Sequence, residues 1–235
     1  MKIAIIVQAR LGSTRLPNKI LMNVGGKPLL EFMIERLKSV GKEIIVATPD
    51  KEIADFCEDI NIPCFVGSED NVLDRYLKCA TKFNVDVIVR VCAACPLIDS
   101  SGVYDLIEAY KENPDADLIH NKHRNGPPFG TGAELFPTNV IERIVKTPHN
   151  KSHEEHVITY VFENPEEFKI LKLDAPEGLK RPNYFFTVDY PEDIIFINAI
   201  LRKTKDSSLT SLVELLDNNA DLAKMNSHLH EGFRR

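Results

Sequence analysis

The chain has 235 residues, 43% of them hydrophobic and 27% charged, with 29 Lys plus Arg against 35 Asp plus Glu for a net charge of −6. A chain of this length buries a sizeable core without disulfide or metal staples, and its acidic balance excludes a general nucleic-acid binder, which needs a broad basic surface. No apolar run approaches the ~20 residues of a membrane span, and five scattered cysteines suit reduced thiols, so the expectation is a cytoplasmic protein with neither nucleic-acid nor membrane partner.

Residues 3–7 (IAIIV) form a short β-branched run of the kind found in strands buried on both faces. A polar stretch, 8–19, follows it, and Gly25-Gly26 marks a turn. Pro28 suits a first helical residue, and Leu29, Phe32, Met33, Arg36 and Leu37 recur at helical spacing. The alternation then repeats. Strands are predicted at 43–47, 64–66 and 86–91, and helices at 50–59, 69–82 and 100–112. Strands separated by helices of this length form crossover units, so the fold class is α/β, a doubly wound, mostly parallel sheet with ligands at the carboxyl ends of its strands.

Regularity ends after a short strand at 118–120. Residues 121–132 hold three Gly and two Pro, the make-up of a long functional loop or hairpin. A helix is predicted from Thr138 and another from Ser152, where Ser152 and Glu155 fit a capping box. Residues 168–173 and 184–188 read as strands. A helix follows with Pro191 early and Glu192 and Asp193 in its first turn, its core face carrying Ile194, Ile197 and Leu201. Residues 208–225 are helical by pattern, and the tail to Arg235 is polar. The expected organisation is one domain, 1–235, with an inserted lobe at about 121–180.

Charge singles out the loop after the first strand. Residues 1–42 hold eight basic residues against two acidic ones, a net of +6, so the remainder carries −12. The loop QARLGSTRLPNK (8–19) lacks both the dinucleotide-fold glycine fingerprint and the GxxxxGK[ST] phosphate loop. It supplies Arg10, Arg15 and Lys19, two hydroxyls and Gly12, where backbone can approach a ligand. Guanidinium groups bind phosphate oxygens through paired charge-assisted bonds, so a polyphosphate is the ligand class this loop suits.

With GGKPLLEFMIERL at 25–37, GSEDNVLDRY at 67–76, CPLID at 95–99, EHVITY at 155–160 and TVDYPED at 187–193, the loop resembles the cytidylyltransferase family of 3-deoxy-manno-octulosonate and acylneuraminate cytidylyltransferases. It is most similar to the spore coat polysaccharide biosynthesis protein F branch. The strings are collinear over about residues 1–200. The resemblance implies a nucleotide-diphospho-sugar transferase-like fold, CTP and a sugar-like acceptor as partners, Mg2+ as cofactor, release of pyrophosphate, a role in surface polysaccharide biosynthesis, and a homodimer. It assigns Arg10, Arg15 and Lys19 to catalysis, and Ala9, Arg10, Gly12, Ser13, Arg15, Lys19 and Arg75 to the nucleotide. Asp189 is the implied metal ligand, and Glu134 and His156 are the implied substrate-side residues.

One departure bears on chemistry. The family's TGDCP-like string is here CAACP, so Ala94 stands where the resemblance implies the first of two metal carboxylates. Asp99 is either a substitute for it or the cap of the next helix. Three function readings follow: cytidylyl transfer to a sugar acid, nucleotidyl transfer to a sugar 1-phosphate, and nucleotide binding without turnover. Arg75 is either a nucleotide contact or a surface partner of Asp74 or Glu69. Cys92 and Cys95 also admit a redox-pair reading. His149, His153 and His156, at offsets of four and three, admit a zinc site or an interface helix.

Overall fold

The computed structural model describes residues 1–122 and 125–234. A seven-stranded sheet forms its centre, in the order β5 (Cys64–Val66), β4 (Glu43–Thr48), β1 (Ile3–Gln8), β6 (Val87–Cys92), β8 (Glu134–Pro137), β7 (Leu118–His120) and β9 (Ile170–Lys172). Strand β8 is antiparallel to β6 and β7, and the other neighbours are parallel. The doubly wound, mostly parallel α/β fold expected from the alternation is the fold observed. Among the described residues, no helix is long and apolar enough to cross a membrane.

Period-two alternation sorts each strand's side chains between two cores. On one face, Ile5, Val7, Val46, Val89 and Val91 pack beneath α1 (Leu29–Leu37), α2 (Lys51–Asp59) and α4 (Ser100–Glu112). On the other, Ala4, Ile6, Ile45, Ala47 and Ile88 meet α3 (Val72–Phe83) and α5 (Thr138–Lys146), together with Val157 and Val161 near the short helices α6 (Lys151–Glu155) and α7 (Thr159–Glu163). Residues Ala4 to Val7 have no solvent exposure, so β1 is the covered centre of the sheet. At ~1.5–3 kcal/mol per buried aliphatic side chain, this double layer is the main source of stability.

A third core lies over one end of the sheet. Leu16, Val24, Leu97 and Val188 pack with α8 (Pro191–Lys203) and α9 (Leu209–Asp217), while α10 (Ala220–Ala223) contributes Leu222. The hairpin of β2 (Asn23–Val24) and β3 (Lys27–Pro28) reaches this core through Gly25 and Gly26, both with positive φ. A Cβ on Gly25 would lie 2.9 Å from the Phe32 ring.

Several predicted boundaries move. Pro28 lies before α1 as its cap rather than inside it, and α3 begins only after Asn71, whose side chain accepts from the Asp74 amide. Helix α6 is capped by Asn150 with His153, not by Ser152 with Glu155: the Asn150 carboxamide accepts from the His153 amide, and the Asn150 amide donates to His153 Nδ1. Residues 184–188 are not a sheet strand; among the described residues their one ladder-like contact is the Phe129–Phe185 bridge. The helical pattern of 208–225 divides into α9 and α10. The stretch 121–180 supplies β8, β9 and α5–α7 to the sheet and one of its faces, and its residues 123 and 124 lie outside the described residues, as does Arg235.

Candidate active site

The chain runs from β1 outward to β4 and β5, then returns across β1 to β6. The loops after β1 and β6 therefore part at their carboxyl ends, which is where an open α/β sheet forms a ligand crevice. A cleft of about 1140 Å3 occupies this position. Arg10, Ser13, Arg15, Lys19, Arg75 and Lys122 line it, and Asp189 is the one acidic residue among its described lining. A cleft so strongly cationic suits an anionic ligand.

The loop after β1 is held by its own backbone. The Leu11 amide donates to Asp50 Oδ2 at 2.8 Å, and the Ser13 and Asn18 amides both donate to the Leu11 carbonyl. Asn18 takes a left-handed conformation (φ 59°) and turns the chain so that Lys19 points inward. Lys19 is almost fully buried because its ammonium is satisfied there: Nζ donates to the Val188 carbonyl at 2.6 Å and to Asp189 Oδ1 at 2.8 Å. The Arg15 guanidinium reaches the same oxygen at 2.9 Å and lies over the Tyr190 ring, 5.1 Å from its centroid. Burial alone would raise the Asp189 pKa; hydrogen bonds and charge from Lys19 and then Arg15 outweigh it and hold the carboxyl below its usual range.

Asp189 is placed from behind by Asp193, in the first turn of α8. Asp193 Oδ2 accepts from the Asp189 and Tyr190 amides, at 2.8 and 2.9 Å. Its Oδ1 meets Asn226 Nδ2 and His230 Nε2, at 2.8 and 2.9 Å. The polar tail is thus anchored: Asn226 and His230 are buried, and His230 stacks on Phe185 with centroids 4.8 Å apart. Gly130, also in the lining, adopts φ +93°, and a Cβ there would lie 2.8 Å from both the Phe186 carbonyl carbon and the Thr187 nitrogen. Only glycine admits this approach.

The other predicted site residues divide. Ala9, Arg10 and Ser13 line the cleft, with Arg10 exposed and 3.7 Å from Glu155. Gly12 is exposed and lies outside the lining. Arg75 is buried and donates to the Ser68 carbonyl, while its Nε finds no partner among the described residues; this replaces the surface pairing with Asp74 or Glu69, since Asp74 is bonded to Lys78 instead. Glu134 lies outside the lining, its carboxylate bound by Arg90 and Lys122 at 2.9 Å each, so it positions Lys122. His156 is exposed and also outside the lining.

Sequence reasoning missed Lys122, Asp193, Asn226 and His230. The Gly/Pro-rich composition of 121–132 was the available signal for Lys122. The three histidines do not form a metal group among the described residues. His153 Nδ1 accepts from a backbone amide, so its Nε2–H donates to Glu163 at 2.7 Å and ties α6 to α7.

Ala94 stands beside the Asp189 segment. Its carbonyl accepts from the Val188 amide at 2.8 Å and from Thr187 Oγ1 at 3.4 Å. Asp99 does not replace the missing carboxylate: it caps α4 by accepting from the Ser101 and Gly102 amides. The described residues hold no group of three His, Cys, Asp or Glu suited to a metal. A magnesium ion delivered on phosphates needs only one or two protein carboxylates. Asp189 Oδ2, whose neighbour is the Thr187 hydroxyl at 3.4 Å, fits that role, and the donor set does not fit a protein-built cage.

Cys92 and Cys95 both line the cleft as free thiols. The Cys95 thiol, chiefly, pulls the Cys92 pKa down to about 5 against the effect of burial, helped by the Ala94 backbone and by Arg90 and Lys122. Cys95 is pushed up in turn by Cys92 and by burial.

The cytidylyltransferase family model matches residues 4–227. The spore coat polysaccharide biosynthesis protein SpsF of Bacillus subtilis is 31% identical over 236 residues, covering 94% of this chain and 96% of that protein. The 3-deoxy-manno-octulosonate cytidylyltransferase of Trichlorobacter lovleyi is 36% identical over 128 residues, covering 53% and 51%. Among solved structures, a cytidylyltransferase from Leptospira borgpetersenii superposes with a TM-score of 0.89 at 30% identity, covering 95% of this chain and 97% of that one.

Proposed function

This chain belongs to the cytidylyltransferase family, and from that premise we propose that it transfers a cytidine monophosphate group from CTP to a hydroxyl of a sugar or sugar-like acid used in surface polysaccharide assembly, releasing pyrophosphate. The observation that carries the proposal is the convergence of Arg15 and Lys19 on Asp189 in a cationic cleft at the ends of β1 and β6. The acceptor oxygen bonds to the α-phosphorus as the bond from that phosphorus to the bridging oxygen breaks. Pyrophosphate leaves with the electron pair, and the hydroxyl proton passes to solvent in the open cleft. Arg10, Arg15 and Lys19 hold the phosphates and offset the charge that gathers on the leaving group, the dominant contribution in transfers of this kind. Ala9 and Ser13 complete the phosphate side. Arg75, with a buried N–H still to satisfy, faces the nucleoside. Asp189 would hold a magnesium ion arriving with the triphosphate, which supplies further charge neutralisation. A homodimer belongs to the same proposal and is tested by sedimentation equilibrium.

Ala94 favours a second reading, nucleotide binding without turnover. Titrating CTP with and without Mg2+, then assaying pyrophosphate release over a panel of sugar acids and sugar phosphates in the native chain and in Ala94→Asp, separates the two. Release by the native chain with a hydroxyl acceptor supports transfer. Tight CTP binding with release only in Ala94→Asp supports the second reading, and selective binding of another nucleotide overturns the cytidine assignment.

A further inference from the structure

We propose that Cys92 and Cys95 form a dithiol that closes reversibly to an intramolecular disulfide on the floor of the cleft, taking its oxidising equivalents from a small-molecule disulfide. The local backbone already has the required shape. The Cys95 amide donates to the Cys92 carbonyl at 3.1 Å, which makes residues 92–95 a four-residue turn. The ends of such a turn lie within ~7 Å at Cα, a distance that overlaps the ~4.4–6.8 Å spanned by a disulfide. Both thiols border the cleft, where a small oxidant can reach them.

The surroundings favour the thiolate form of Cys92, the nucleophile in exchange: the Ala94 backbone bonds it, and Arg90 and Lys122 contribute positive charge. The other close pair, Cys57 and Cys64, differs. Cys57 is fully buried with its thiol pushed up, and neither residue lines the cleft.

The chemistry balances without a metal. Cys92 thiolate attacks one sulfur of the oxidant, forming a mixed disulfide and releasing a thiolate. Cys95 transfers its proton to that thiolate and attacks Cys92 Sγ, displacing the second small thiolate. Two protein thiols are oxidised and one small disulfide is reduced to two thiols. Between the cysteines, Ala94 carries the carbonyl that holds Val188 and Thr187, so the turn that the bond closes is also the turn that seats the Asp189 segment.

The test equilibrates the full chain with oxidised and reduced glutathione, quenches with acid, alkylates, and analyses tryptic peptides by mass. The expected result is loss of two of the five thiols, with the peptide spanning 91–111 unalkylated, two hydrogens lighter than its reduced form, and restored by dithiothreitol. In Cys95→Ser the reaction is expected to stop at a glutathione adduct on Cys92. Retention of all five thiols, a bridge through Cys57 and Cys64 alone, or a wild-type end product that is a stable glutathione adduct overturns the proposal. Because the readout is mass alone, it is independent of whether the cleft turns over CTP.

Discussion

Lys19 and Asp189 stand 170 positions apart in the chain and meet at 2.8 Å in a nearly closed environment. The pair joins the loop after β1 to the segment before α8, and the same ammonium also holds the Val188 carbonyl. Substituting Lys19→Ala removes one of the two cations on the carboxylate, leaving Arg15, and frees a buried carbonyl. The expected loss is about 10²-fold or more in kcat/KM, with a fall in stability of up to about 3 kcal/mol. Steady-state pyrophosphate release and urea unfolding of the same preparation measure the two. Activity within a few-fold of the native chain would remove Lys19 from the machinery.

The Glu134 carboxylate, buried between Arg90 and Lys122, sets an acid limb on stability. Burial would raise its pKa, but the charges and hydrogen bonds of Lys122 and Arg90 hold it below its ordinary value of 4.5. A carboxyl depressed in the folded state binds its proton more readily when unfolded. Its contribution is therefore complete above about pH 4.5 and is lost as the pH falls through the lower folded value. Glu134→Gln should lower stability at pH 7 by about 3 kcal/mol and flatten the decline below pH 4.5 by up to ~1.4 kcal/mol per pH unit. Denaturant unfolding from pH 2 to 7 checks this, and parallel curves for the two proteins would contradict it.

Much of this architecture was legible in the chain. The strands at 3–8 and 43–48 announce themselves because both faces are covered, which demands a continuous apolar run rather than an alternating one. Residues 184–188 carry the same apolar signal for another reason. Phe186 and Val188 fill the third core, but the amide of Phe186 bonds to the Phe129 carbonyl and that of Val188 to Ala94, so hydrophobicity is present without a ladder. The Ser152–Glu155 spacing misled because Asn150, two residues upstream, offers an equally good acceptor to the first turn. The cationic loop and Asp189 were recognisable one by one. Their meeting, and the support of Asp193 by the tail, depend on long-range packing that local pattern does not encode. Polarity hid His230 because a buried imidazole is stable when its nitrogen meets a carboxylate.

The tail supplies a third prediction. Asn226→Ala removes a donor from Asp193 Oδ1 and from the Phe185 carbonyl, leaving buried acceptors short of partners. A cost of about 1–3 kcal/mol follows, and the loosened Asp193 should weaken nucleotide affinity although Asn226 itself lies outside the cleft lining. Thermal unfolding and nucleotide titration of this variant check both; a nucleotide affinity equal to that of the native chain would show that the Asp189 segment stands without the tail.

Gly130→Ala tests the contact that backs residues 186 and 187. The substitution places a methyl group 2.8 Å from the backbone of Phe186 and Thr187 at a positive φ. A loss of about 1–3 kcal/mol is expected, with displacement of the segment leading to Asp189. Unchanged unfolding midpoints would contradict it.

The most direct test is calorimetric titration of CTP, with Mg2+ present, into the native chain and into the double variant Arg15→Ala/Lys19→Ala. Each lost charge-assisted bond costs about 1.5 kcal/mol or more, so the double variant is predicted to bind CTP at least ~10²-fold more weakly, and the native chain to prefer CTP over ATP, GTP and UTP. Equal CTP affinity in the two proteins would contradict the claim that the loop after β1 and Asp189 together hold the triphosphate.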